Sequence, residues 1–281
     1  MEATTEVVTA APAPVLAAFI DRYVGYRMAG YAPGLHRGLP SRHMTFIVAI
    51  GPTIDVVTQT DPHQAPGSYR CVLSGLQASP AMIAHTGFQE GVAIELTPLG
   101  SRVLFGMPAS ELWDLSIECT DAQRDLGDQL ADAVQSSPAW PDRFAACDRA
   151  LSAAARTGSL AGPELTWAWR TLVGTGGTCE ITPLAERIGW SRQHLTRKFS
   201  AEFGASPKLA ARIIRFERAR RMLAATPSFV SIAQVAAACG YYDQAHLDRD
   251  FTELAGCSPS IWLSEEEVPS VQDPDAADTR G

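Results

Sequence analysis

The sequence has no uninterrupted run of apolar residues long enough to cross a membrane, although 46% of its 281 residues are apolar. A transmembrane helix needs about 20 consecutive, mainly apolar residues, so none is predicted. Residues 1–14 also lack the positive charge and apolar core of a signal peptide, because Glu2 and Glu6 lie there. These absences predict a cytoplasmic protein with no membrane partner.

The short motifs of common catalytic and cofactor sites are also missing. There is no P-loop, no Gly-x-Ser-x-Gly and no Gly-x-Gly-x-x-Gly between a strand and a helix. The six cysteines are widely spaced and form no Cys-x-x-Cys pair, which argues against a cysteine zinc site. Four histidines of the first part are not clustered as metal ligands usually are: His36, His43, His63 and His85. We therefore expect no catalytic residue, no metal and no cofactor.

The first part of the chain has the character of a β-rich domain. Residues 45–58 are rich in β-branched side chains and are broken by a Gly51-Pro52 turn, which predicts two strands. Residues 69–76 and 91–97 also read as strands, whereas the Ala/Thr/Pro-rich residues 1–13 are predicted to be loose. From Asp121 onward the apolar spacing becomes helical.

An internal repeat is the most informative feature of the helical part. Residues 194–207 and 246–259 both fit the pattern H-L-x-R-x-F-x-x-x-x-G-x-S-P without a gap. A short segment with one apolar face precedes each copy and ends at Gly189 or Gly240, and glycine suits the left-handed end of a helix. Each unit is therefore predicted to be a helix, a tight turn and a second helix, which is the helix-turn-helix arrangement.

The second helix of each unit is the one that would enter a DNA groove. These helices are predicted over about 191–203 and 243–254, with Ser191 and Asp243 as their N-caps. Four apolar side chains at a spacing of four residues should pack inward: Leu195, Phe199, Leu247 and Phe251. The remaining positions then face outward, where Arg and Gln can pair with base edges.

A long helix is predicted over 207–225, between the two units. At 1.5 Å per residue it would measure roughly 28 Å, close to the 34 Å of one DNA turn. Its arginines would make it strongly positive: Arg212, Arg215, Arg218, Arg220 and Arg221. Residues 165–265 carry 12 Lys and Arg against 9 Asp and Glu, although the whole chain has a net charge of −8. This uneven distribution favours a nucleic-acid partner for the helical part.

At these positions the sequence resembles the AraC/XylS family of bacterial transcription regulators. The match is carried by IxxLAxxxGxSxxxLxRxFxxxxGxSP at 181–207, by the Arg-rich helix, and by SIAQVAAACGYYDQAHLDRDFTELAGCSP from Ser231. The outward positions and the resemblance together indicate these DNA-binding residues: Arg192, Gln193, Thr196, Arg197, Arg215, Gln244, His246 and Arg249. The resemblance implies a regulator, usually an activator, that recruits RNA polymerase, often as a homodimer, under control of an N-terminal sensor.

Two features depart from the family pattern. Pro183 lies within the expected first helix, which predicts a late start with Thr182 as cap and the proline in the first turn. Asp248 and Asp250 flank Arg249 and would repel phosphate, which predicts weaker insertion of the second unit into DNA. The stretch at 96–114 is similar to the sensor region of some family members.

Together these patterns predict an α+β fold class, with a β-rich N-terminal domain followed by an all-α double helix-turn-helix domain. The predicted division is a sensor-like domain at 1–115, a helical linker or dimerisation region at 116–160, a DNA-binding domain at 161–265 and a disordered acidic tail at 266–281. The favoured function is an effector-responsive regulator that binds double-stranded DNA. The alternative is an enzymatic or small-molecule-binding β-domain whose helices only mediate association.

Overall fold

The computed structural model describes residues 3–155, 160–225 and 230–265. The first part of the chain forms two antiparallel sheets. The strands are β1 (Thr4–Ala10), β2 (Ile20–Ala29), β3 (Gly34–Gly38), β4 (Thr45–Ala49), β5 (Ile54–Thr58), β6 (Gly67–Tyr69), β7 (Cys71–Ser74), β8 (Ala81–His85), β9 (Gln89–Leu96) and β10 (Ser116–Glu118). One sheet has the order β1-β2-β9-β4-β7-β10 and the other β3-β8-β5-β6.

The strands predicted at 45–58, 69–76 and 91–97 are confirmed as β4, β5, β7 and β9. Gly51 has a positive φ of 83° in the connection between β4 and β5, a conformation that glycine adopts without steric cost. Because β4 belongs to one sheet and β5 to the other, this turn carries the chain between the sheets.

The prediction that residues 1–13 are loose was wrong. Strand β1 pairs with β2 over its whole length, from Thr4 opposite Ala29 to Ala10 opposite Tyr23. Val7 and Val8, with the threonines around them, favour extended backbone. The composition alone concealed this strand, since it lies at a sheet edge and is not deeply buried.

Most of the helices lie after the strands in the chain, and the last described one ends at residue 265. They are α1 (Ser101–Phe105), α2 (Cys119–Ala122), α3 (Arg124–Ser136), α4 (Trp140–Ala154), α5 (Pro163–Gly174), α6 (Ile181–Arg187), α7 (Arg192–Phe203), α8 (Pro207–Ala225), α9 (Ile232–Ala238), α10 (Gln244–Ala255) and α11 (Pro259–Glu265). No helix within the described ranges is long and apolar enough to span a bilayer.

Helices α3 and α4 share a core with the six-stranded sheet. Leu126, Leu130 and Val134 of α3 are buried together with Phe46 and Leu73 of the sheet. The stretch predicted to be a linker or dimerisation region therefore packs against the N-terminal domain. The boundaries near 115 and 160 remain predictions, and the second of them falls partly on residues outside the described ranges, as does the predicted acidic tail.

The helical part has two hydrophobic cores, one for each helix-turn-helix unit. Phe199 and Phe203 lie in the first core, and Phe251 and Trp262 lie in the second. Helix α8 runs between the units over the residues predicted from the sequence and contributes side chains to both cores. The predicted α+β class, with its two parts in that order, is confirmed.

The first helix of the first unit begins earlier than predicted. Helix α6 begins at Ile181 after Glu180, so Thr182 is not its cap, and Pro183 is its third residue. Proline is tolerated there because the first N–H groups of a helix have no intrahelical acceptor.

Candidate nucleic-acid interface

The two units have the same backbone construction. In the first, Gly189 has a φ of 73° and the N–H of Trp190 donates to the carbonyl of Ala185 at 2.9 Å. In the second, Gly240 has a φ of 78° and the N–H of Tyr241 donates to Ala236 at the same distance. The repeat seen in the sequence is thus a repeat of structure.

Side-chain caps fix the beginning of both recognition helices, α7 and α10. The hydroxyl of Ser191 accepts from the backbone N–H of His194 at 3.2 Å. The carboxylate of Asp243 accepts from the backbone N–H of His246 at 2.7 Å. Both predicted caps are confirmed, and each satisfies a donor that the helix leaves unpaired.

The inner faces of the recognition helices are fully buried. Leu195, Phe199, Leu247 and Phe251 show no exposed surface, as their spacing predicts. The opposite faces are therefore turned outward and carry the candidate DNA-binding side chains.

The predicted DNA-binding residues of α7 and α10 lie mostly on these outward faces. The exposed ones are Arg192, Gln193, Arg197, Gln244 and Arg249, whereas Thr196 and His246 are half-buried. Among the described residues, the side chains of Arg192, Gln193, Gln244 and Arg249 make no hydrogen bond or ion pair. Their donors and acceptors are free to reach an external partner, and their role in DNA binding stays a prediction.

The two equivalent histidines pack against aromatic rings of the turns. The ring of His194 lies 4.7 Å from that of Trp190, edge to face, and the ring of His246 lies 5.1 Å from that of Tyr241. Both histidines therefore make the same kind of packing contact.

Arg215, the remaining predicted residue, points into the domain. Its Nη1 donates to the carbonyl of Gly177 at 3.1 Å, and its guanidinium lies 5.5 Å from the ring centre of Tyr241. This placement favours a role in attaching the connection between α5 and α6, where Gly177 lies, to α8. A DNA contact by Arg215 remains untested.

Most of the positive charge expected on α8 is directed at protein groups. Arg212 pairs with Asp250 and Glu253, and Arg220 is fully buried. Arg218, in contrast, is exposed. The helix is therefore less positive at its surface than its composition suggests.

The expectation that Asp250 repels phosphate was wrong. Its side chain is buried, with 3% of the residue exposed, and Oδ1 accepts from Nε of Arg212 at 2.5 Å. Helical geometry turns Asp250 inward beside Leu254, whereas Asp248 is half-buried and stays near the outer face. One acidic group therefore remains close to Arg249.

Two exposed residues near the recognition helices were missed by the sequence reasoning. Lys198 follows Arg197 on α7 and is exposed. Tyr242 is 93% exposed in the turn before α10. The second turn is one residue longer than the first, since the glycines are 51 positions apart and the N-caps 52. That change of spacing was visible in the sequence and could have revealed Tyr242.

The N-terminal domain is packed directly against the first recognition helix. Arg102 makes a two-pronged ion pair with Glu202 at the end of α7, with distances of 2.6 and 2.8 Å. Trp113 covers Gly204, where an added Cβ would lie 2.7 Å from the tryptophan Cβ. The stretch at 96–114, singled out as sensor-like, thus supplies the surface that contacts the first unit.

A second contact between the domains is ionic and centres on α8. The buried carboxylate of Glu217 accepts from the backbone N–H of Arg42 at 2.9 Å and pairs with Arg221 at 2.8 Å. Burial opposes ionisation of Glu217, but Arg221, His43 and Arg42 outweigh it and hold its pKa below the usual value.

Three side chains beside this contact have the geometry of a metal site: Asp21, His43 and Glu95. Nε2 of His43 lies 2.8 Å from Asp21 and 4.0 Å from Glu95. Each carboxylate is already paired with an arginine, since Arg42 lies 3.1 Å from Asp21 and Arg22 lies 2.9 Å from Glu95. Burial raises the pKa of Asp21, but His43 and Arg42 overcome this and lower it to about 2. A cation would be repelled by the arginines, so the group is better suited to an ion-pair network.

Family profiles match both parts of the chain. A profile described as "Helix-turn-helix domain" matches residues 184–265, and one described as "Domain of unknown function (DUF6597)" matches residues 8–118. The HTH-type transcriptional regulator Rv1931c of Mycobacterium tuberculosis (strain ATCC 25618 / H37Rv) is 38% identical over 84 residues. These cover 30% of this chain and 32% of that protein, so the chain spans about a third of the length of this relative.

Solved structures of ToxT from Vibrio cholerae strain SCE256 share the overall fold. The apo form of a single-site variant has a TM-score of 0.53 at 12% identity, covering 86% of this chain and 97% of that one. The unsaturated fatty acid bound wild-type form has a TM-score of 0.50 at 10% identity, covering 95% and 97%. At such low identity the likeness establishes the fold alone.

The repeated units, their capped recognition helices and the profile match over 184–265 define a double helix-turn-helix DNA-binding domain. Together with the curated relative, this match supports the resemblance of the helical part of the chain to the AraC/XylS family of transcription regulators.

Proposed function

We propose that this chain is a sequence-specific transcription regulator that binds double-stranded DNA with both recognition helices. The observation that carries the proposal is the pair of equivalent outward faces on α7 and α10. Each face presents arginine and glutamine side chains, including Arg197 and Arg249, to the solvent. Such side chains can make paired hydrogen bonds to guanine and adenine edges in the major groove.

The connecting helix supports binding to successive grooves. Helix α8 has 19 residues, which corresponds to roughly 28 Å at 1.5 Å per residue. It packs against both units through their cores, so the spacing of the units is set by a rigid element. One turn of DNA measures about 34 Å, a comparable distance.

We further propose that the N-terminal domain controls DNA binding in response to a small-molecule effector. Its contacts with α7 and α8 support this, because a change in the domain would reach both elements. The fold is shared with ToxT, one form of which is described as bound to an unsaturated fatty acid. Activation through recruitment of RNA polymerase, action as a homodimer and a cytoplasmic location are parts of the same proposal and rest on the resemblance to the AraC/XylS family.

The experiment that tests the proposal is genome-wide mapping of sites bound by the full chain, followed by footprinting on a mapped site. We expect two protected major-groove segments about one helical turn apart. A folded chain that enriches no genomic site, or protects no segment, would contradict the proposal and favour an association role for the helices.

A further inference from the structure

A cavity lies between the two β-sheets of the N-terminal domain. It has about 670 Å³ of space that protein atoms do not fill, part of it open to solvent. Both sheets contribute apolar side chains to its wall: Ile47 and Val72 from one sheet, and Ile54, Val56 and Ile83 from the other.

The polar groups of the cavity wall are mainly neutral. They belong to Tyr26, His36, Thr45, Ser74, Gln77, Gln89 and Ser116. Several already have protein partners: the hydroxyls of Ser74 and Ser116 lie 2.9 Å apart, and Gln77 donates to the carbonyl of Gly38 at 2.8 Å. A ligand would therefore meet an apolar wall with few polar groups to bind.

His36 is a polar residue of this wall whose hydrogen bonding is incomplete. Its Nδ1 is buried and has no hydrogen-bond partner among the described residues. Burial and the neighbouring His85, 5.7 Å away between ring centres, lower the pKa of His36 to about 4. The imidazole is therefore neutral near pH 7 and can donate one hydrogen bond and accept another.

Arg37 carries the one formal charge among the described side chains of the cavity wall, and this charge is already compensated. Its Nη2 lies 2.9 Å from Oε2 of Glu265, at the end of α11. An anionic ligand would have to displace Glu265 or enter without a counter-ion. Burying a charge without a partner is strongly unfavourable, so the wall selects against ions of either sign.

We propose that this cavity binds an uncharged small molecule with an apolar body and one hydrogen-bonding group that pairs with the imidazole of His36. The regulatory meaning of this site rests on the proposed function, in which the N-terminal domain responds to an effector. Binding of the small molecule does not depend on the proposed function, because all the residues named for this site except Glu265 belong to the N-terminal domain.

Calorimetric titration of the full chain, without DNA, tests the proposal with three probes that share one ring system. These are neutral 1-naphthol, anionic 1-naphthoate and cationic 1-naphthylmethylammonium at pH 7. We expect 1-naphthol to bind at least tenfold more tightly than either ion. Equal or tighter binding of an ion, or no binding of 1-naphthol at millimolar concentration, would overturn the proposal.

Two variants locate the site. Ile83→Trp fills the cavity and should abolish binding of 1-naphthol, whereas Leu35→Trp places the same ring at an exposed position of β3 and should leave it unchanged. His36→Phe keeps a flat ring but removes both ring nitrogens, so the preference for 1-naphthol over unsubstituted naphthalene should disappear. If Ile83→Trp does not fold, His36→Phe decides alone, and a preference that persists in it overturns the assignment.

DNA binding by the same preparations, measured without any probe, distinguishes the two proposals. A chain that binds DNA but no neutral probe refutes the cavity assignment and leaves the regulator proposal intact. A chain that binds the neutral probe but no DNA refutes the regulator proposal and leaves the cavity assignment intact.

Discussion

The guanidinium groups of Arg197 and Arg249 occupy equivalent positions of the two recognition helices, and both are exposed. Their surroundings differ. Arg197 is followed by the exposed Lys198, whereas Arg249 follows the half-buried Asp248. The first unit therefore presents more positive charge to a phosphate backbone than the second, even though Asp250 faces inward.

We predict that Arg197→Ala and Arg249→Ala each weaken specific DNA binding by about 1–3 kcal/mol. The loss should be larger for Arg197→Ala because its neighbourhood is more positive. The two losses should add in the double variant, since the residues would be a DNA turn apart and share no partner. Anisotropy titrations on a footprinted site, with each half of the site mutated in turn, measure both affinity and sequence preference.

A charge-matched control for this pair is Arg149→Ala, an exposed arginine on α4 of the N-terminal domain. It should leave affinity nearly unchanged. A loss for Arg197→Ala alone would show that the second unit does not read bases. No loss of DNA affinity for either variant would show that the helix-turn-helix motif is present but does not contact DNA through these arginines.

At the scale of elements, the second unit is held to α8 by a buried ion pair. Asp250 of α10 accepts from Arg212 of α8, and the Phe216 and Phe251 rings pack edge to face at 4.9 Å between the same helices. A buried charged group that loses its partner destabilises the fold, whereas an exposed charge has little effect. We therefore expect Asp250 to contribute to the stability of the fold and Asp248 to affect DNA binding.

We predict that Asp250→Asn lowers the free energy of unfolding by about 1–3 kcal/mol, because the half-buried guanidinium of Arg212 loses the charged acceptor that lies inside the domain. The matched control is Asp248→Asn, which should change stability by less than about 0.5 kcal/mol. It should instead strengthen DNA binding by removing a repulsive charge. Urea unfolding and DNA titration of both variants measure these effects. A loss of stability for Asp248→Asn and stronger DNA binding for Asp250→Asn would refute the placement of the two carboxylates.

At the scale of the whole molecule, the N-terminal domain completes the cores of the DNA-binding domain. Leu76 and Leu99 belong to the core of the first unit, and Leu39 belongs to the core of the second. Trp113 packs against both cores. The domains thus share apolar surface in addition to the ion pairs at Glu202 and Glu217.

We predict that a fragment spanning about 160–265 folds and binds DNA but unfolds at a lower temperature than the full chain. The folding follows from the two cores, and the lower stability follows from the loss of Trp113 and Leu39. Its DNA affinity should fall steeply with salt, by close to 0.9 logarithmic units per tenfold salt for each neutralised phosphate. Calorimetric melting and titration at several salt concentrations check both points. A flat salt response would contradict the proposed phosphate contacts, and equal melting temperatures would contradict the shared core.

The sequence by itself determined the two helix-turn-helix units and the helix between them. The caps at Ser191 and Asp243, the left-handed glycines and the apolar spacing of α7, α8 and α10 are all local features, so no distant contact is needed to recognise them. The strands around Gly51 were found for the same reason.

Tertiary structure alone decided which charges reach the surface and where a cavity forms. Arg212 and Asp250 are 38 positions apart in the chain, and they pair with each other instead of facing the candidate DNA-binding surface. His36 and Ile83 come together only because β3 pairs with β8. Strand pairing and burial depend on contacts between residues far apart in sequence, and a pattern read along one segment carries no information about its distant neighbours.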